Sequence, residues 1–177
     1  GCKSIVLDRK GTMRGWAIQS YPTLRQRPGW AEQNPEDWYG GFCETSKRAL
    51  QQAGVSPEAI AMICIVGITH NAVLLDEHEQ VLRPSIIYTD TRSQSQCEAL
   101  FERFGDRVFA RAHNQISPLW TWPQLMWIRE QEPQVWKRIV RVMFPKDYVR
   151  HRICDSHVSD SIDPAGTLLY DPVERRW

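Results

Sequence analysis

The stretch that most constrains this chain runs from Ile63 to Arg92, where apolar segments end abruptly in polar clusters. Residues 63–68 have the Val and Ile content that is typical of a strand covered on both faces, and they end at Thr69-His70-Asn71. A later apolar run, 86–88, ends at Asp90-Thr91-Arg92. In open α/β sheets, ligands collect beyond the carboxyl ends of strands. We therefore predict that these two strand ends line a site for a polyhydroxylated ligand.

The remaining chain is predicted to alternate between strands and helices. Asn34 is suited to cap a helix that begins at Pro35 and ends at Gly54, with acidic residues in the first turn. This order of elements predicts an α/β fold, a mixed sheet flanked by helices. The other expected elements are strands at 4–8, 13–19, 72–75 and 139–144, helices at 91–104, 123–130, 133–138 and 145–152, a helical turn at 56–58, and a turn-rich tail from 159 to 177.

Composition excludes several classes of partner. The 22 basic and 21 acidic residues nearly balance, so no charge excess favours nucleic acid or an anionic membrane. No run approaches the ~20 apolar residues of a membrane helix, and no signal peptide is visible. Five scattered cysteines without a CxxC pair favour a reducing, cytoplasmic location, with Cys64 acting as a small hydrophobe in its strand. Because the chain opens at Gly1 without Met, we expect it to be a piece of a longer polypeptide.

The polar residues at the strand ends have structural and functional interpretations. His70 and Asn71 either cap backbone groups where the strand stops or contact a ligand. Asp90 and Arg92 either pair with each other, or cap the next helix, or hold adjacent sugar hydroxyls through charge-assisted hydrogen bonds. Tyr88 offers a flat face for the carbon atoms of a sugar. The sequence alone leaves these alternatives open.

Other chemistry-bearing residues form no recognisable set. Glu32 is interpreted as a structural acceptor for loop amides, and Trp120 and Trp122 as side chains that could line a cleft. No metal-ligand spacing and no GxSxG, Walker or GxGxxG motif occurs, and the histidines without such spacing are His78, His113, His151 and His157. We therefore predict no catalytic residue and no metal site within these 177 residues.

Six segments occur in a characteristic order: GWAEQNPEDWY (29–39), VGITHNAVLLD (66–76), IIYTDTRS (86–93), the Asn114 region, FPKDYVRHRI (144–153) and SDSIDPAGTLLYDPVERRW (159–177). In this order and spacing they resemble the N-terminal lobe of FGGY carbohydrate kinases, a family that includes xylulokinase, gluconate kinase and glycerol kinase. The resemblance implies an actin-like ATPase, ribonuclease-H-like fold and transfer of the γ-phosphoryl group of Mg-ATP to a sugar or polyol hydroxyl. It places His70 on the family's substrate-contacting His, Tyr88, Asp90 and Arg92 on its W-x-D-x-R segment, and Asn114 near the same pocket.

The chain departs from the family pattern in several places. The segment between Gly67 and His70 is shorter than in the family, Tyr88 replaces Trp, and Cys154-Asp155 replaces Thr-Gly. The resemblance implies a phosphate loop upstream, and a general-base Asp and a nucleotide-binding lobe downstream. Residues 1–177 are thus expected to be a sugar-binding lobe truncated at both ends, inactive alone, with Mg-ATP bound mainly elsewhere and a homodimer possible for the family.

The favoured hypothesis is the substrate-binding lobe of a cytoplasmic kinase for a ketopentose such as xylulose, or a related sugar or polyol. The alternative is a non-catalytic sugar-binding or scaffold module derived from such a kinase. A ribonuclease-H-like nuclease is disfavoured, because Asp8, Asp76 and Asp90 end separate elements instead of clustering around two metal ions. The identity of the sugar is not encoded in residue types alone.

Overall fold

A hairpin packed on a long helix opens the molecule, whose computed structural model describes residues 1–177. Strand β1 pairs antiparallel with β2, and helix α1 covers one face of the hairpin. In chain order the elements are β1 (Cys2–Leu7), β2 (Met13–Gln19), β3 (Glu32–Gln33), α1 (Pro35–Ala53), a 3₁₀ turn (Pro57–Ala59), β4 (Val73–Leu75), β5 (Ser85–Ile86), α2 (Gln94–Ala112), α3 (Thr121–Gln131), α4 (Pro133–Trp136), β6 (Arg141–Met143), α5 (Pro145–Cys154) and a second 3₁₀ turn (Pro164–Thr167).

The ends of α1 follow from local sequence, as predicted. The side chain of Asn34 accepts a hydrogen bond from the amide of Glu36 at 3.1 Å, and Pro35 occupies the first helical turn. Gly54 ends the helix in the left-handed conformation, at φ 65°. Glycine is also needed in β2, since a Cβ on Gly15 would lie 2.3 Å from the carbonyl oxygen of Ala49 in the helix. The hairpin and α1 are therefore held at close range.

Strand β4 is the strand that is covered on both faces. Val73 and Leu75 pack with Trp38, Met143, Tyr148 and Val149, which belong to α1, β6 and α5. Ala72 and Leu74 face the opposite way, toward Ile86 and Ile128. β4 pairs antiparallel with β6, and β3 pairs antiparallel with β5, so the strands form three two-stranded ladders. The core is thus built around β4, and this strand begins shortly after the polar residues 69–71.

The predicted buried strand at 63–68 is wrong. These residues adopt no strand, and the exposed fraction reaches 55% for Ile63 and 89% for Val66. Cys64 is likewise exposed, not packed in a core. A strand needs a neighbour for its backbone groups, and residues 63–68 pair with none of the six strands. The apolar pattern therefore predicted a strand, but no ladder forms at these residues.

Helix α2 starts later and ends later than predicted. The amide of Thr91 donates to the carbonyl of Gly29, and the amide of Arg92 donates to Asp90, so residues 91–92 form a turn before the helix. The helix then continues past Phe104 to Ala112, because Val108 and Ala112 extend its buried face. The other predicted helices are confirmed to within a few residues. No helix combines the length and apolar character needed to cross a membrane.

Candidate functional site

His70 lies immediately before β4, against the loop that joins α2 to α3. Its carbonyl accepts a hydrogen bond from the hydroxyl of Thr121 at 2.5 Å, which ties the strand end to the start of α3. Its imidazole packs on Trp120, with 4.7 Å between ring centroids. A Cβ on Gly166 would lie 2.8 Å from the Cβ of His70, so the second 3₁₀ turn closes over the ring. The side chain of His70 therefore lies between the ring of Trp120 and the backbone of Gly166.

The side chains of His70 and Asn71 are buried and make no hydrogen bonds within the protein. His70 is 5% exposed and Asn71 is 0% exposed, and neither imidazole nitrogen nor either amide atom has a partner. Burial lowers the pKa of His70, and the negative charge of Asp163 and a backbone contact with Leu119, which does not reach hydrogen-bond geometry, oppose this only in part. The imidazole is consequently neutral at pH 7, with one nitrogen able to donate and the other able to accept.

A cluster of one lysine and three aspartates lies close to His70 and Asn71. Lys146, at the start of α5, places its ammonium 2.7 Å from Asp163, 3.0 Å from Asp147 and 3.2 Å from Asp160. Burial opposes the charge of Lys146, but hydrogen bonds to Asp163 and Asp147 raise its pKa, so the ammonium stays protonated. These side chains border an open cleft of about 560 Å³ between residues 63–69 and α5. Polar groups of both signs are thus available near His70.

Asp90 and Arg92 form a closed pair at the second strand end. The carboxylate of Asp90 accepts from the guanidinium at 2.8 Å and 3.0 Å, from the amide of Arg92 at 2.8 Å and from the amide of Ala31 at 2.5 Å. The side chains of Asp90 and Arg92 are each 1% exposed. Every oxygen of Asp90 is therefore occupied by protein donors, and the pairing that the sequence left as one alternative is present.

Glu32 and two tryptophans complete the surroundings of Arg92. The guanidinium donates to Glu32 at 2.7 Å, and Glu32 also pairs with Arg83. Arg92 lies 3.7 Å from the ring centroid of Trp30 and 4.9 Å from that of Trp127. Glu32 has a structural role, as predicted, but its partners are two guanidinium groups and not the loop amides that were expected. Together with Glu32, the Asp90–Arg92 pair links β3 to the turn before α2.

The two remaining candidates are less enclosed. Tyr88 is 49% exposed, so its ring is accessible. The side-chain amide of Asn114 donates to the carbonyl of Ala112 at 3.1 Å, at the end of α2. The loop that follows contacts both strand ends, since the hydroxyl of Ser93 donates to the carbonyl of Pro118 and the hydroxyl of Thr121 to that of His70.

The structure therefore brings the six candidates together only in part. His70 and Asn71 are adjacent, Asp90 and Arg92 are bonded, and no hydrogen bond or ion pair joins one pair to the other. Their assignment as substrate contacts stays a prediction.

Three residues beside His70 were missed as site candidates from the sequence. Asp163 and Gly166 come from the tail, which was interpreted only as turn-rich, and Lys146 comes from the start of α5. The sequence signal that could have found them is a polar cluster at 159–163 followed by Pro164 and a glycine. Nothing in local spacing predicts that this turn closes on His70, about 95 residues upstream.

Comparison with known proteins agrees with this architecture. The profile described as "FGGY family of carbohydrate kinases, N-terminal domain" matches residues 1–177. The xylulose kinases of Bacillus subtilis and Escherichia coli K12 are each 34% identical to the chain, over 175 and 180 residues, which is 99% and 100% of this chain. A structure described as a xyloylose kinase from Brucella ovis superposes with a TM-score of 0.93 at 32% identity, covering 99% of this chain and 36% of its own. The chain spans about 35% of the length of the curated relatives. The fold is the actin-like one of these sugar kinases.

Proposed function

We propose that this chain, which belongs to the FGGY family of carbohydrate kinases, is the substrate-binding lobe of an ATP-dependent kinase that phosphorylates a hydroxyl of a ketopentose such as xylulose. The substrate class is proposed from the names of the relatives, since those in Bacillus subtilis and Escherichia coli are xylulose kinases. A cytoplasmic location is part of the proposal and is supported by five free cysteines.

The observation that carries the proposal is the pair His70 and Asn71. A buried polar atom without a hydrogen bond costs about 1–3 kcal/mol, and this pair has four such atoms. A polyol satisfies donors and acceptors at once, because each hydroxyl both donates and accepts. Trp120 adds an apolar face for the C–H groups of the sugar chain. The combination suits a small polyhydroxylated molecule better than an anion or an apolar ligand.

In the proposed site, His70 and Asn71 bind hydroxyl groups directly. Asp90 and Arg92 hold the second strand end in place, and Tyr88 and Asn114 border the approach from the loop side. The neutral imidazole of His70 orients one hydroxyl by accepting its proton in a hydrogen bond, without removing it. No residue of this chain is assigned as the general base.

Mg-ATP is proposed as the phosphoryl donor of the whole protein, but this chain does not offer it a phosphate loop. The one tight turn of the opening hairpin uses its own amides, since those of Lys10 and Thr12 donate to Asp8 at 2.9 Å and 3.0 Å. Those amides are not available to phosphate oxygens. Phosphoryl transfer depends on positioning and charge stabilisation around the phosphates, so we assign no step of the transfer to residues of this chain.

The test is ADP release by the full-length protein with D-xylulose, other ketoses, polyols and aldonates as acceptors. We expect a ketopentose to stimulate ATP turnover. We expect Gly166→Ala to raise the KM for the sugar at least about tenfold, because the new methyl group displaces His70, while the KM for ATP stays unchanged.

The matched control is His113→Asn. His113 is an exposed histidine in the left-handed conformation, at φ 55°, which asparagine tolerates. The KM of the His113→Asn variant for the sugar should equal that of the wild type. Absence of turnover with every acceptor would refute the kinase proposal, and sugar binding without turnover would support the non-catalytic alternative. An equal rise in both KM values for Gly166→Ala would indicate misfolding instead of a lost sugar contact.

A further inference from the structure

Four potential metal ligands from three separate parts of the chain meet at the end of α5. Glu79 lies in the turn after β4, His151 and Asp155 lie in the last turn of α5 and just beyond it, and His157 follows in the next loop. One donor atom from each of the four residues falls within 4.8 Å of the others. None of the four is a candidate sugar contact, and their spacing along the chain gave no metal signal.

The distances within this cluster are close to those around a bound ion. His157 Nε2 lies 2.8 Å from Glu79 Oε1 and 3.9 Å from Asp155 Oδ1, and His151 Nε2 lies 3.2 Å from Glu79 Oε2. Around a tetrahedral zinc ion with bonds of about 2.0–2.2 Å, neighbouring ligand atoms are about 3.4 Å apart. The measured separations lie on both sides of this value, and either nitrogen of His151 faces a carboxylate, with Nε2 toward Glu79 and Nδ1 toward Asp155.

A second observation points to a ligand at the same place. The side chain of His151 is 6% exposed, and its Nδ1 atom is inaccessible to water and has no hydrogen-bond partner. Nδ1 faces Asp155 Oδ1 at 3.5 Å without forming a hydrogen bond. The rings of His151 and His157 lie 4.6 Å apart between centroids and are tilted by 32°. Two imidazoles are thus held side by side with carboxylates around them.

We propose that Glu79, His151, Asp155 and His157 bind one divalent transition-metal ion of the zinc class. Two imidazoles and two carboxylates form a borderline donor set that suits Zn²⁺ and Co²⁺, whereas Mg²⁺ and Ca²⁺ prefer oxygen ligands alone. With four protein ligands the site is of the structural type.

The bound ion would join the turn after β4 to the end of α5. Tyr148 and Val149 of α5 already pack in the core around β4. The ion would add a second connection between α5 and the region of β4, at the C-terminal end of the helix. Binding to the folded state alone raises the stability of the protein, and at a hundredfold excess over the Kd the Tm should rise by roughly 5–10 °C.

The experiment is titration of tag-free, metal-stripped protein with Zn²⁺ followed by calorimetry, and with Co²⁺ followed by visible absorption. We expect one ion per chain, the visible bands of a four-coordinate Co²⁺ site, and no displacement by millimolar Mg²⁺. His157→Ala should lower the affinity by at least about a hundredfold, since loss of a partner one shell further out already costs ten- to a hundredfold. His157 is suited to the test because its side chain is 33% exposed, so the variant keeps the core intact.

The matched control is His78→Ala, an exposed histidine beside Glu79 that is not among the four ligands. It should bind Zn²⁺ with wild-type affinity and stoichiometry. Asp155→Asn provides a second variant at an exposed position and should also weaken binding. Absence of saturable binding in the wild type, or equal binding by wild type and His157→Ala, would overturn the proposal.

Discussion

The substitution Asp90→Ala tests whether the Asp90–Arg92 pair at the second strand end stabilises the fold or contacts the substrate. In the folded chain Asp90 accepts from the guanidinium of Arg92 and from two backbone amides, those of Ala31 and Arg92. The substitution leaves the Ala31 amide without its acceptor and leaves Arg92 buried with Glu32 as its remaining carboxylate partner. Water cannot replace these bonds, because both side chains are almost completely enclosed.

The expected loss follows from those contacts. Breaking a buried ion pair by removing one partner costs about 3–5 kcal/mol. Glu32 still compensates part of the Arg92 charge, whereas the amide of Ala31 loses its acceptor, so we keep this range for Asp90→Ala. For a chain of this size, each kcal/mol lowers the Tm by about 2–4 °C, so Asp90→Ala should lower it by roughly 6–20 °C. Replacing both partners, as Asp90→Leu with Arg92→Met, should restore part of the stability, since Glu32 keeps Arg83 as its partner and no charge is orphaned, while the amide of Ala31 stays without an acceptor.

Urea unfolding followed by tryptophan fluorescence measures this directly, because Trp30 and Trp127 flank the guanidinium. The control is Asp106→Ala on the exposed face of α2, which should change the free energy of unfolding by less than about 0.5 kcal/mol. A loss below about 1 kcal/mol for Asp90→Ala, or a double variant no more stable than the single one, would refute the reasoning. If the stable double variant has also lost sugar binding, Asp90 or Arg92 contacts the substrate as well.

Two further predictions concern the hairpin and the buried histidine. Gly15→Ala should destabilise the protein by about 1–3 kcal/mol in urea, because its methyl group overlaps the Ala49 carbonyl, whereas Gly40→Ala in the open middle of α1 should stabilise it by about 0.5–1 kcal/mol. Equal effects of the two would contradict the close approach of hairpin and helix. Burial lowers the pKa of His70 below its usual 6.5, so the unfolded chain takes up a proton first and stability should fall as the pH drops below about 6.5, by up to about 1.4 kcal/mol per pH unit. His70→Asn should lack this part of the slope, and parallel profiles for variant and wild type would exclude it.

Local sequence determined the elements whose signals lie within a few residues of each other. The cap at Asn34, the proline after it and the glycine at 54 set both ends of α1, and the hairpin from 2 to 19 follows from its alternating pattern and turn. Each of these signals depends only on backbone groups a few residues away along the chain. For that reason the structure agrees with the prediction at these elements.

The run from 63 to 68 shows where that reasoning stops. Its Val and Ile content predicts a strand, yet a strand forms only when another strand takes up its backbone hydrogen bonds, and the structure provides none there. The shorter run from 73 to 75 is also apolar, but it pairs with β6 and is buried on both faces. The difference lies in the partners, which residue types do not specify.

The sequence by itself determined the family, the helix boundaries set by caps and glycines, and the polar residues at 70–71 and 90–92 as positions of interest, because these depend on residue type and near neighbours. Only the tertiary structure decided that Ala31 and Glu32 complete the bonding of Asp90 and Arg92, that Gly166 and Trp120 enclose His70, and that four potential metal ligands meet at the end of α5. The first two sets of contacts and the approach of Glu79 to α5 join positions tens of residues apart, and the free energy of a buried polar group depends on what surrounds it in space.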